Sequence, residues 1–565
     1  MTKNDINKPT ISEATSRNWA RLHSDSSGRL MSRANKQLST KTILPLEYFS
    51  NKDNVADIQR FVTFCKEQNY KVEDVLFSVG VELLKKAGIY EKPHVQKVLS
   101  SLSAQRLSFL SLKSLPSDEF DILGLLYQCF LVEGEKNRKG SYYTPLDVAR
   151  NMTKDLDFSK GQTFFDPCCG SGAFLLALDG ASPEQLLGCD NDPIAVMIAK
   201  INLLLKYKSL VFEPQIIKCD YLKYYFKYKN SYIISNPPWG AVIFDEKNNP
   251  ISTKESFSFF FEKAFNQLED GKIRFLLPES ILNVKCHRNF RKFLLENTDI
   301  QSITLYNGSF SGVQTKYIDI SVCHSEHRRC EEPPKRYVNV YENGSSRTVS
   351  KDAFYLTNNL NFNLLSDSDL EKVQKILAKK KYTLKDSIWA LGVITGDNKN
   401  KVKSKRGRGM EPIYTGKEIE AYTLKQPHKF IKYKRTDYQQ VAKDEIYRAE
   451  EKLVYKFISK NLVFAYDNSK SLFLNSANIL IPRIPGMSIK TVLAFLNSEL
   501  FKFLYKSLFG EIKILKGNLL ELPFPAISPE TDKKLTELVD EVLKGNNNAL
   551  QLIDNEIFKA YGLSQ

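Results

Sequence analysis

No two of the nine cysteines stand as a Cys-x-x-Cys pair, which argues against a disulfide scaffold and for a reducing compartment. No run approaches eighteen apolar residues, and Met1-Thr2-Lys3-Asn4-Asp5 carries no apolar signal segment. We therefore expect no membrane span and a cytoplasmic location. No block recurs at a fixed period. Acidic residues are outnumbered: 65 Asp and Glu face 81 Lys and Arg, for a net charge of +16. A surplus of that size favours a polyanionic partner over a merely solvated surface. What the chain does have is apolar residue, 42% of 565 positions. That is ample for packed cores, and the length exceeds one core, so about three domains are expected.

Residues 1–139 read as a helical front end, the first forty a loose arm. Val72, Val75, Leu76, Val79, Leu83 and Leu84 recur at three- and four-residue spacing, and Leu123 to Leu131 are apolar enough for a buried helix. Asp121 with Glu133-Gly134-Glu135-Lys136 faintly suggests a metal-nuclease arrangement, but the strands such a site needs are missing, so no nuclease is assigned.

From 140 to 330 strand and helix signals alternate, the mark of a mostly parallel sheet covered on both faces. Strands are expected at Thr163–Asp166, Leu186–Asp190, Gln215–Lys218, Tyr232–Ser235, Ile273–Leu277, Ser302–Tyr306 and Tyr317–Cys323. Helices fit at Ala173–Leu178, Pro193–Tyr207, Ser256–Leu268 and Glu279–Leu295. Chemistry gathers where strands end, which is where such sheets place ligands. After Asp166 comes Pro167-Cys168-Cys169-Gly170-Ser171-Gly172, a turn whose glycines allow close approach to a cofactor. It is neither Gly-x-Gly-x-x-Gly nor a P-loop with its lysine, so a dinucleotide and ATP fit poorly. Asp190 ends the next strand and suits ribose hydroxyls, with Asn191 beside it; Asp220 and Tyr221 follow the third and suit an adenine ring.

The fourth strand stops at Asn236-Pro237-Pro238-Trp239. The Asn236 side-chain carbonyl and the Pro237 backbone carbonyl are two acceptors in a frame stiffened by proline rings. With the flat face of Trp239 they could grip an exocyclic amino group on a planar ring; an ordinary Asn-Pro turn is the bland alternative.

In this order and spacing, the cofactor loop and Asn-Pro-Pro-Trp resemble the S-adenosylmethionine-dependent N6-adenine DNA methyltransferases. Gly140-Ser141-Tyr142-Tyr143-Thr144-Pro145 resembles the segment preceding the cofactor loop in the gamma arrangement of that family. The resemblance implies a class I methyltransferase α/β fold with a seven-stranded, mostly parallel sheet at 140–330. It also implies S-adenosylmethionine held by Tyr143, Thr144, Asp166, Cys168, Gly170, Gly172, Asp190, Asn191, Asp220 and Tyr221. Asn236 and Pro237 would accept both hydrogens of the target amino group, and Pro238 and Trp239 would complete the catalytic turn. Trp239, where the family more often has Tyr or Phe, would stack on a base flipped from the duplex. A second stacking ring is expected at Phe310, with Tyr306 and Tyr317 as weaker candidates. Neither a covalent intermediate nor a metal is called for, and Cys323, His324, His327 and Cys330 are not assigned to zinc.

After a break at Glu331-Glu332-Pro333-Pro334 we expect a connector to 385 and then a mixed α+β target-recognition domain over 386–565. Lys399, Lys401, Lys403, Lys405, Arg406 and Arg408, interleaved with Gly407 and Gly409, form a basic loop that could follow a phosphate chain. Strands at Lys452–Ile458 and Phe473–Ile479, a helix opening at Leu493, and Leu515 to Pro525 resemble the recognition domains fused to gamma-type enzymes.

The reading is a stand-alone, site-specific adenine-N6 methyltransferase acting on double-stranded DNA as a monomer. A cognate endonuclease would be encoded separately in a restriction–modification or related defence system. Three rivals stand beside it: a modification subunit needing a separate specificity subunit, an RNA or protein-glutamine methyltransferase, and a DNA-binding protein with a dead pocket. Cytosine-N4 stays open as the target.

Overall fold

The computed structural model describes residues 44–107, 115–116, 119–139, 142–224, 231–239, 251, 255–268, 271–308, 316–324, 336–510 and 513–563. The chain divides into two compact units after Asp352. The expected arm at 1–40, Phe310, His327 and Cys330 lie outside the described residues.

In the first unit the seven expected strands are present. They are β1 (Thr163–Asp166), β2 (Leu186–Asp190), β3 (Gln215–Lys218), β4 (Ser231–Ser235), β5 (Gly271–Pro278), β6 (Thr298–Leu305) and β7 (Tyr317–His324). Two more, β8 (Tyr337–Glu342) and β9 (Ser345–Ser350), extend the sheet to nine strands in the order β3-β2-β1-β4-β5-β7-β6-β8-β9. The strands from β3 to β5 run parallel, while β7 is antiparallel to both β5 and β6. The strand order reverses between β1 and β4, so Asp166 and Asn236 flank the switch point where α/β sheets bind ligands.

Alternation along each strand splits the side chains between two cores. Phe164 and Leu276 join a core that also takes Ile58, Val75, Leu76, Leu123 and Leu126 from the front helices. The helices Val55–Glu67, Val72–Lys86 and Ile122–Phe130 thus share one apolar interior with the sheet. Ile122–Phe130 is buried along its whole length. On the opposite sheet face Phe275 meets Phe261 edge-on at 5.4 Å, and Phe261 meets Phe290 at 5.1 Å, the preferred geometry for packed rings.

One expected helix begins later than its sequence pattern. Glu279–Leu295 is broken into two short 3-10 turns, Glu279–Leu282 and Lys285–His287, before the α-helix Arg288–Asn297. Fully buried Arg291 donates to the Ile281 and Val284 carbonyls at 2.6 and 2.9 Å. Its guanidinium satisfies the carbonyls that an unbroken helix would have paired.

The stretch 331–385, expected as a connector, is divided instead: β8 and β9 complete the first sheet, while the helix Asp367–Ala378 belongs to the second unit. Val373, Ile376 and Leu384 pack there with Leu453, Tyr455 and Leu480 and the C-terminal helices.

The second unit holds two four-stranded sheets. One has the order β10-β17-β14-β15 (Ile388–Leu391, Ala477–Ile481, Lys452–Lys456, Phe464–Asp467). The other is β11-β13-β12-β16 (Val402–Lys403, Phe430–Ile431, Glu411–Tyr414, Leu472–Phe473). The single strand expected at Phe473–Ile479 is two strands in different sheets, because the chain turns at Leu474 to Ser476. Val454, Ile479, Phe473 and Ile413 fill a shared core. Lys452 and Asp467 form a fully buried ion pair at 2.5 Å between the paired strands β14 and β15.

Candidate active site and nucleic-acid interface

The ends of β1 to β4 open into a cleft, the place where α/β sheets bind ligands. Of the residues predicted from sequence, Tyr143, Cys168, Gly170, Asp190 and Asn191 line it, as do Asp220, Tyr221, Asn236 and Pro238. Thr144, Asp166, Gly172, Pro237 and Trp239 do not.

The glycine turn is built for close approach. Gly170 and Gly172 have φ of +53° and +91°, a region L side chains avoid. A Cβ on Gly170 would sit 2.9 Å from the Tyr143 ring. The Gly170 amide donates to Asp190 Oδ2 and the Asp192 amide to Asp190 Oδ1, both at 2.9 Å, so one carboxylate ties the turn to the end of β2. Burial raises the Asp190 pKa. The buried Tyr143 hydroxyl has no hydrogen-bond partner among the described residues.

Asp166 acts behind the cleft. It is 1% exposed and accepts from Ser235 Oγ at 2.6 Å and from the Cys168 amide at 3.1 Å. Burial pushes its carboxyl up to about 7, against the lowering effect of those two donors. The Cys168 thiol lies 2.9 Å from Ser235 Oγ, so β1 and β4 are cross-tied just before Asn236. Asp220 is partly exposed and accepts from the Leu222 amide at 3.1 Å. The Tyr221 ring is buried, 5.8 Å from Phe165 and 5.5 Å from Phe260, with its hydroxyl donating to Gln267 Oε1.

At the end of β4 the Asn236 Nδ2 donates to the Tyr142 carbonyl at 2.9 Å. Among the described residues no donor takes Asn236 Oδ1 or the Pro237 carbonyl. The turn is pinned on its far side: Ser256 Oγ donates to the Pro238 carbonyl at 2.8 Å, and Trp239 Nε1 to the Leu276 carbonyl at 3.1 Å.

The two weaker stacking candidates pack against each other, and Tyr317 also lies 6.3 Å from the Trp239 ring. The Tyr306 hydroxyl donates to Asp319 Oδ2 at 2.8 Å and accepts from Asn151 at 2.9 Å. Asp319 also takes the buried Arg274 guanidinium through two oxygens, at 2.7 and 3.1 Å. Tyr317 is 6% exposed and stacked on Tyr306 at 5.2 Å.

Sequence reasoning missed Tyr142, Asp192, Cys219 and Phe260, which also line the cleft. Asp192 was legible as the N-cap before Pro193; its Oδ1 accepts from the Ile194 amide at 3.0 Å. Its second oxygen takes the Tyr127 hydroxyl at 2.6 Å, a link from the front helix that no local pattern announces. Of the residues weighed for a nuclease, Asp121 N-caps the helix Ile122–Phe130 and accepts from Asn202 at 2.8 Å, and Glu133–Lys139 is helical.

In the second unit the basic loop separates into two kinds of cation. Lys399, Lys403, Lys405, Arg406 and Arg408 are exposed and make no ion pair among the described residues. Lys401 points inward: its ammonium donates to the Thr395 carbonyl at 2.9 Å and to the Asp437 carbonyl, and lies 5.6 Å from the Tyr438 ring centre. Lys403 is in register with Phe430 on β13, so exposed Lys429 and Lys432 stand beside the loop's first strand.

Comparison with known proteins agrees with this geometry. The N-6 DNA Methylase family matches residues 118–309, and the TaqI-like C-terminal specificity domain matches 411–524. The Type II methyltransferase M.VspI of Vibrio sp. (strain 343) is 30% identical over 310 residues, covering 52% of this chain and 74% of its own length. The methylase subunit of the type I restriction enzyme EcoEI of Escherichia coli is 27% identical over 235 residues, 36% of this chain and 46% of that subunit. Among solved structures, the Type IIL restriction-modification enzyme MmeI in complex with DNA superposes with a TM-score of 0.60. The match spans 91% of this chain and 96% of that one at 14% identity, a likeness of fold. The chain belongs to the S-adenosylmethionine-dependent DNA methyltransferases of restriction–modification systems. Among the described residues no helix is long and apolar enough to cross a membrane.

Proposed function

We propose that the chain methylates the N6 amino group of adenine turned out of double-stranded DNA, at sites chosen by its own C-terminal unit. The observation that carries this reading is the end of β4: an amide oxygen and a carbonyl that no donor takes among the described residues, beside a cleft whose described charged lining is acidic.

The cleft suits the cofactor. Its left-handed glycine turn leaves no room for a side chain beneath Tyr143, the Tyr143 hydroxyl has no partner among the described residues, and its described charged lining residues are Asp190, Asp192 and Asp220. Three carboxylates favour a ligand with a sulfonium and an ammonium over a neutral thioether. Asp190 and Asn191 would hold ribose hydroxyls; Asp220 and the Phe260 side would meet the adenine. Asp166, Gly172 and Thr144 would shape the loop from behind. When bound, S-adenosylmethionine supplies an electrophilic methyl.

The residues of the chain prepare the nucleophile. The N6 lone pair is delocalised into the ring, and two acceptors holding both amino hydrogens favour a more tetrahedral nitrogen. Asn236 Oδ1 and the Pro237 carbonyl are those acceptors, and Trp239 would stack on the extruded base. Lys399, Lys403, Lys405, Arg406 and Arg408, with Lys429 and Lys432, would neutralise phosphates. Lys401 instead holds the loop together.

The presence of a specificity domain in the same chain favours a stand-alone enzyme, with any endonuclease made separately and one copy acting on one site. The test is methyl transfer from labelled cofactor to genomic DNA and to total RNA, read by nucleoside mass spectrometry with Asn236→Ala alongside. N6-methyldeoxyadenosine that vanishes in the variant is expected. Methylated RNA, methylated cytosine, or a need for an added subunit would overturn the corresponding part.

A further inference from the structure

Asn236 is held by a group far from its own motif. Its Nδ2 donates to the main-chain carbonyl of Tyr142, 94 residues earlier, at 2.9 Å. A carbonyl only accepts, so the nitrogen must face it and Oδ1 must face away. The next residue, Tyr143, is the ring that lies over Gly170 in the cofactor cleft. One short segment therefore lines the cofactor site with a side chain and grips the base acceptor with its backbone.

We propose that the Tyr142 carbonyl is a positioning group that sets the Asn236 amide, so that ordering of the 142–144 segment and readiness of the base acceptor are one event. The inference rests on the reading of Asn236 given above and adds what aims it. Without the carbonyl the amide could rotate and present its nitrogen, which would repel the target's amino hydrogens. The charged and titratable neighbours are Asp166 through Ser235, Asp190, Asp192 and Asp220 along the cleft, the Cys168 and Cys219 thiols, and the Tyr142 and Tyr143 phenols.

Asn236→Asp separates the possibilities by sign. An ionised aspartate would set an oxygen against the Tyr142 carbonyl; a protonated one donates to it and leaves the other oxygen for the substrate, as Asn236 does. Measured at saturating cofactor and DNA, the ratio of variant to parent kcat should rise about tenfold per pH unit as pH falls from about 8 to 6. Taking the ratio cancels titrations common to both proteins, that of Asp166 included. A ratio that is flat or that rises with pH overturns the proposal. Hydrogen–deuterium exchange of cofactor-bound Asn236→Ala gives a readout apart from turnover. Faster exchange across 142–145 than in the parent supports the tie, equal exchange overturns it, and this arm stands even where the aspartate variant does not fold. Retained activity in Asn236→Ala would instead sink the reading of the site itself.

Discussion

The two units place polarity in opposite ways. In the sheet unit the polar groups of the cleft are acidic or neutral, sit at strand ends and are half sunk into it: Asp190, Asp220 and Asn236. The C-terminal unit instead exposes cations before, in and after β11, while the charged pair Lys452–Asp467 is sealed in its interior. A site that must hold a small cationic ligand fixes its groups by burial and backbone bonds. A surface that must meet a polyanion leaves its charges long and hydrated, where interaction is longer in range and sensitive to salt.

That contrast can be broken at several points. Asn236→Ala should lower kcat by about a hundred- to a thousandfold, the usual range for loss of one preorganised polar partner. A similar loss from any single exposed lysine of the loop would contradict the division of labour. Asp319→Leu strands the buried Arg274, and Asp467→Leu strands Lys452. Each should destabilise its own unit by about 3–5 kcal/mol in urea unfolding, and only the first should disturb the helix Leu146–Thr153, whose Met152 carbonyl Arg274 holds at 3.0 Å.

Asp166 sharpens the electrostatic half of the comparison. Its folded pKa, near 7, lies above that of an unfolded aspartate, so the folded state keeps a proton that the unfolded state has lost. The stabilisation is complete below about pH 4 and is lost as pH rises to about 7. Asp166→Asn, which cannot ionise, should therefore gain stability relative to the parent over that window, by at most about 4 kcal/mol. An unchanged difference across the window would show that Asp166 is not held protonated.

The smallest effect concerns the loop. Lys403→Ala or Arg406→Ala should each reduce the slope of log Kobs against log salt by about 0.9 on duplex DNA, whereas Lys401→Ala should leave the slope unchanged.

Much of the sheet unit was legible because local rules agree there. Prolines stop β4 at once, Asp192-Pro193 opens a helix, and acidic residues punctuate β1 and β2, so the strands could be read in one pass. What escaped depends on groups that carry no sequence letter or on partners far along the chain. The Tyr142 carbonyl is backbone, and Phe260 looks like any apolar residue of the helix Ser256–Gln267. Strands β8 and β9 are half polar, Tyr-Val-Asn-Val-Tyr-Glu and Ser-Ser-Arg-Thr-Val-Ser, and read as connector until they are seen paired. Lys401 has the same letter as its neighbours and differs only in what its ammonium reaches. Phe473–Ile479 was apolar enough to pass for one strand, and only the separate pairings of Leu472–Phe473 and Ala477–Ile481 show the turn between them.

The placement of β7 between β5 and β6 has a consequence for synthesis. As the chain leaves the ribosome, β5 is made before β6, yet its neighbour on that side is β7, which comes after both. Until Tyr317–His324 has emerged, β5 presents the apolar, unpaired edge Gly271–Pro278, while β3, β2, β1 and β4 can already pair beneath the front helices. A pause or rare-codon stretch falling between Thr298 and Tyr317 would prolong that exposed state, and chains arrested there should be the ones that associate through the open edge.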